Sequence, residues 1–141
     1  MALQWRDQLS VGNNVIDNDH RYLIDIINRV EQCLLRKNRA ELTLELANLA
    51  KYSQVHFERE EKIAAAVGHT QLPNLNDSHL SLLDRLKQMQ AEFDATGQTW
   101  SPEAAEHFTN FLRSWLIDHV IKEDLLMKPV LKNFAPTFDP R

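Results

Sequence analysis

The chain has 141 residues, 43% of them hydrophobic, with three Gly, five Pro and one Cys. That is enough for one domain over residues 1–141, with a core and four helices of about 20 residues each. A net charge of −4, a pI near 5.8 and no basic stripe give no reason to expect nucleic acid. The uncharged runs are too short to span a membrane and no basic-then-apolar leader opens the chain. The lone Cys33 has no internal disulfide partner, so a cytoplasmic protein is expected.

Residues 1–15 read as an extended arm, with Trp5 and Leu9 apolar, a turn at Gly12-Asn13-Asn14, and Asn14 or Asp17 as cap for the first helix. That helix is expected from about Ile16 to Lys37, with an apolar seam in four-three steps through Ile16, His20, Leu23, Ile27, Val30 and Leu34. After Asn38-Arg39, a second helix runs from about Ala40 to Val67 and ends at Gly68 as a left-handed residue. Its seam is Leu42, Leu46, Leu49, Ser53, His56, Glu60, Ile63 and Val67. A third helix, about Asn74 to Thr96, carries Leu75, His79, Leu82, Leu86, Met89 and Phe93, and Gly97 stops it. Ser101-Pro102 is a cap and first-turn pair for a fourth, whose seam is Phe108, Leu112, Trp115 and His119. Pro129 is expected to limit that helix, with a short C-terminal tail lying over the surface. The fold class is therefore all-α: an up-down-up-down four-helix bundle with an extended N-terminal arm.

Polar residues inside those seams carry the functional signal. A core-facing position is apolar unless something offsets the desolvation of a polar group. His56 and Glu60, four residues apart, lie on one face one turn apart. In an up-down bundle His20, His56, Glu60, His79 and His119 all fall at the same end. One such histidine is usually a satisfied core residue, but a cluster with a carboxylate at one end points to a metal. Asp124, five residues after His119, is the candidate second carboxylate of a dinuclear centre. For both to face inward the helix must bulge or tighten between Val120 and Glu123, and irregularities of that kind often mark functional sites. The alternative is a solvated acid beside Glu123. His69, in the loop, and His107, beside the fourth seam, read as surface residues or as support for the site.

Trp5, Ile16-Asp17-Asn18-Asp19-His20, His56-Phe57-Glu58-Arg59-Glu60-Glu61, and Trp115-Leu116-Ile117-Asp118-His119 followed by Asp124 form a specific combination. In these motifs the chain resembles the bacterial hemerythrins over nearly its whole length. The resemblance implies two iron ions in a non-haem diiron centre with a bridging oxo or hydroxo group. His20 and His56 would ligate one iron and His79 and His119 the other, with Glu60 and Asp124 bridging. Imidazole with carboxylate suits iron better than a soft-ligand metal, though ligand type alone does not separate iron from zinc. The partner implied is O2 or another small diatomic ligand, in a pocket lined by Trp115, Leu116 and Val120.

Two places depart from the family pattern. Leu75 stands where the first histidine of a pair on the third helix is usual, and Gly68-His69-Thr70 replaces a glycine-tyrosine-proline turn. A leucine does not bind metal, so one ligand is missing unless another side chain, such as His69, supplies it. Reversible O2 binding for carriage, storage or sensing, rather than enzyme activity, is the leading expectation. The alternatives are a diiron oxidase, peroxidase or nitric-oxide-handling protein with vacancies on both irons, and a bundle with one metal or none acting through partners.

Overall fold

The computed structural model describes residues 2–140; Met1 and Arg141, the ends of the expected arm and tail, lie outside them. Among the described residues the regular structure is entirely helical. Helix α1 spans Asn14–Arg36, α2 Arg39–Val67, α3 Leu72–Asp94 and α4 Pro102–Ser114, and they form the up-down-up-down bundle. The capping chemistry explains the boundaries. Asn13, rather than Asn14 or Asp17, caps α1, its side chain accepting from the Ile16 amide at 3.1 Å. Asp17 is used instead to hold the arm, accepting from Ser10 Oγ at 2.6 Å and from the Val11 amide at 2.9 Å. Asn38 caps α2, and Gly68 at φ 74° closes it as expected. Ser101 caps α4 with Pro102 in its first turn.

The chain stays helical past Ser114 but changes hydrogen-bonding pattern. A π turn covers Trp115–Ile121, α5 covers Lys122–Asp124, a 3-10 turn covers Leu125–Met127, and α6 covers Lys128–Leu131. Pro129, expected to limit the fourth helix, therefore does not stop it. The 3-10 turn breaks the regular ladder first, so the proline falls in the first turn of α6, where no amide donor is needed.

The arm and tail are both tied to α1. Leu3 and Asn28 exchange two 2.9 Å hydrogen bonds, and the Arg21 guanidinium lies 4.7 Å above the Trp5 ring. The tail accepts from Asn14 N at Pro136 O, 2.8 Å, and from Asn13 Nδ2 at Phe138 O, 3.0 Å. No described helix is long and apolar enough to cross a membrane.

Every predicted seam residue of α1, α2 and α3 is buried. The apolar interior nevertheless divides into two. A large cluster fills most of the bundle, and a smaller one of Val11, Ile16, Ile63, Ala64, Val67, Leu75, Met127 and Leu131 closes one end. Between them, on successive helical turns, fall His20, His56, Glu60, His79 and Asp124. A polar layer thus separates two hydrophobic ones.

Candidate metal centre

Four side chains from three segments converge in that layer. One ligand-type atom from each of His20, His56, Glu60 and Asp124 lies within 4.8 Å of the others, and all four residues are at most 1% exposed. His20 Nε2 is 2.6 Å from Asp124 Oδ2, and His56 Nε2 is 2.9 Å from Glu60 Oε2 and 3.5 Å from Asp124 Oδ2. His79 adjoins the group, its Nε2 3.3 Å from Glu60 Oε1.

His20 and Asp124 form a hydrogen bond, but most of the other close approaches do not. His56 Nε2, both Glu60 oxygens and Asp124 Oδ1 are buried and lack a partner in bonding geometry. Buried polar atoms left in that state are costly, about 1–3 kcal/mol each, and native proteins rarely keep several together. A cation among them would satisfy all of them at once. The donor set of imidazoles and carboxylates, with no thiolate, suits iron or another borderline-to-hard divalent metal.

Two further carboxylates orient the imidazoles. Asp19 Oδ2 accepts from His56 Nδ1 at 2.9 Å, so the lone pair of Nε2 faces the centre. Asp19 is itself fixed: its Oδ1 accepts from the Tyr52 hydroxyl at 2.7 Å and from Arg59 at 2.8 Å. Burial works to raise the Asp19 carboxyl, but the bonds from His56 and Tyr52 and the charge of Arg59 hold it below its ordinary value. On α3, His79 Nδ1 lies 3.1 Å from Glu61 Oε2, which aims Nε2 toward Glu60. Phe57 stacks on the His79 ring at 4.0 Å and fixes its plane.

The electrostatics are those of acids and imidazoles crowded into one buried layer. Burial and the neighbouring Asp124 charge push Glu60 up to about 8. Burial also works to raise Asp124, but the close approach of Glu60, His20 and His56 wins and holds it well below the usual carboxylate range. Burial likewise opposes charge on His56, yet the close approach of Asp124, Asp19 and Glu60 raises it well above an ordinary imidazole. For His20 burial prevails and the imidazole is held neutral.

The π turn brings Asp124 inside. It shifts the buried stripe of the fourth helix by one residue, from Phe108, Leu112 and Trp115 to Leu116, Val120 and Asp124. The irregularity begins earlier than the expected Val120–Glu123. His119, on the unshifted stripe, is half-buried and stands outside the four-residue cluster. Trp115, Leu116 and Val120 are all buried in the large apolar cluster. His107 is exposed; His69 is half-buried beside Leu75 and Glu123. Sequence reasoning missed Asp19 and Glu61. The signal was present for Asp19: Tyr52 and Arg59 flank His56 at helical spacing and together call for an acid.

The hemerythrin HHE cation-binding domain model matches residues 11–131. Among similar proteins are a bacteriohemerythrin of Methylococcus capsulatus, 29% identical over 93% of this chain and 98% of its own, and one of Pseudomonas aeruginosa, 25% identical over 86% and 76%. A myohemerythrin of Riftia pachyptila is 26% identical over 82% of each chain. Crystal structures of hemerythrin point mutants superpose with a TM-score of 0.78 at 25% identity, over 93% of this chain and 98% of theirs.

Proposed function

The chain belongs to the hemerythrin family, and from that premise we propose that it is a non-haem diiron protein that binds O2 reversibly, for carriage, storage or sensing. Residues 1–141 act as one hemerythrin-like unit. The observation that carries the reading is the group of unpartnered buried atoms on His56, Glu60 and Asp124, facing one another beside His20. His20 and His56 would hold one iron, His79 and His119 the other, and Glu60 and Asp124 would bridge them. The pair of irons supplies the electrons that make O2 binding possible.

The chain's own residues decide the fate of the ligand. Trp115, Leu116 and Val120, together with Phe57, are apolar and buried, so they exclude water from that side of the layer. None of them offers a proton, and without a positioned acid bound ligand is released rather than cleaved. Asp19 and Glu61 engage Nδ1 of His56 and His79, which leaves Nε2 of each ring aimed inward for a metal. Leu75 favours a second reading, in which each iron has a vacancy and the protein acts as an oxidase, a peroxidase or a nitric-oxide handler.

Iron per chain and the visible spectrum of the reduced protein, before and after air, test these readings. Two irons and a band that appears in air and is lost under argon are expected for reversible binding. Rapid, irreversible oxidation with release of peroxide or water would favour the enzyme. His56→Ala should lose at least one iron; two irons retained in that variant would overturn the ligand assignment.

A further inference from the structure

On the dinuclear reading, Leu75 would leave the second metal position one ligand short, and it is not a spare position. It is buried in the small apolar cluster with Ile63, Val67 and Met127, where it seals the end of the bundle. Beside it lies a cavity of about 240 Å³ lined by His69, Gln71, Asn74, Leu75, Glu123 and Leu126. Two of those residues carry metal-ligating groups, His69 and Glu123.

The geometry separates them. His69 follows the left-handed end of α2, and no hydrogen bond aims its imidazole toward the layer among the described contacts. Glu123 directly precedes Asp124 and follows His119 by four residues, which places it on the side of the fourth helix that faces α3. Ser78 Oγ, on α3 and adjacent to His79, donates to Glu123 Oε2 at 2.5 Å. The carboxylate is thereby latched across the gap between the helix that carries His79 and the one that carries His119 and Asp124.

We propose that Glu123, latched by Ser78, takes the ligand place that Leu75 vacates and completes the second metal position with His79 and His119. This rests on the dinuclear reading of the site. Its surroundings agree: the latched carboxylate lines the same cavity as Leu75. Exchange of a neutral imidazole for an anionic oxygen makes the second position harder than the first and more selective for oxygen-loving cations.

The test is titration of the metal-free full chain with Co(II), reading bound metal per chain and competition against a chelator. Circular dichroism and melting of the metal-free form confirm folding, which a half-exposed residue such as Glu123 should not disturb. Wild type should bind two metals, and Glu123→Ala should keep the first while weakening the second by more than about 100-fold. Ser78→Ala, which removes only the latch, should weaken the second by about tenfold. Adding Leu75→His to Glu123→Ala should restore the second metal. Two metals bound by Glu123→Ala with wild-type affinity would overturn the assignment of Glu123 while leaving the dinuclear reading intact. One metal or none in wild type would overturn both.

Discussion

Two carboxylates and three imidazoles share one buried layer, and they cannot all be ionised there without a counterion. In the metal-free chain a proton serves instead. Glu60 has its carboxyl raised from 4.5 to about 8 by burial and by Asp124, so the fold favours its protonated form. That stabilisation is complete below about 4.5 and is lost as pH rises toward about 8. His56, also raised, acts in the same sense. Asp124 and His20 are lowered, so their contributions are lost as pH falls, and that of His20 is complete only above its ordinary value of 6.5. Above that point only the raised groups still act, and the metal-free protein should melt at progressively lower temperature between about pH 6.5 and pH 8. Glu60→Gln, which mimics the protonated acid, should flatten that slope. A melting temperature that climbs over this interval would refute the proton assignment. Divalent metal should also abolish the slope by displacing the proton. At this scale the sequence was legible for His20, His56, Glu60 and His79, because polar residues on apolar seams announce themselves. Asp19, Glu61 and Glu123 lie off the seams, and their roles come from which neighbouring helix they meet, which periodicity does not encode.

The fourth helix shows what an element adds. Its opening stripe has the same four-three spacing as the other three helices, and continuing that stripe selects His119 and leaves Asp124 outside. The π turn inserts one residue into the phase, so the buried stripe resumes at Leu116, Val120 and Asp124. The seams of α1, α2 and α3 could be read without error because each is an uninterrupted α-helix with one face buried. The register of the fourth could not, since nothing in the local sequence states where an i→i+5 turn begins. Asp124 is inward because of the turn, which gives a sharp expectation. Inserting one alanine after Ile121 should leave the π turn in place and rotate Asp124 by about 100° out of the layer. Helical circular dichroism should be nearly unchanged while metal binding is lost. Deleting the exposed Asp118 should instead restore a regular helix on which Val120 and Asp124 continue the stripe of Phe108, Leu112 and Trp115, so metal binding should survive. If the insertion variant still binds metal at wild-type affinity, the register of the fourth helix is not what places the ligand.

For the whole molecule, the polar layer is stable because apolar packing closes it on both sides. The large cluster on one side is built by the helices with Trp100 of the loop before α4, and the arm residues Leu3, Trp5 and Leu9 pack against it. The small cluster on the other is finished by the tail, with Phe134 and Phe138 packed against it and to one another at a centroid distance of 4.9 Å. Asn13, which caps α1, also donates from Nδ2 to Phe138 O, and Asn14 N donates to Pro136 O. The strap thus fastens the end of the bundle to the start of the helix that carries His20. Truncation after Phe134 removes both hydrogen bonds and the half-buried Phe138 ring, a loss of about 2–4 kcal/mol. The truncated chain should keep its helical fold, because the large cluster is untouched, but melt several degrees lower. It should also release bound metal faster to a chelator, since water reaches the layer from the opened end. Asn13→Ala should lower stability through the lost cap and the lost strap bond, with a smaller effect on metal release. A truncated chain that melts lower yet releases metal at the wild-type rate would show that the strap stabilises the bundle without guarding its centre.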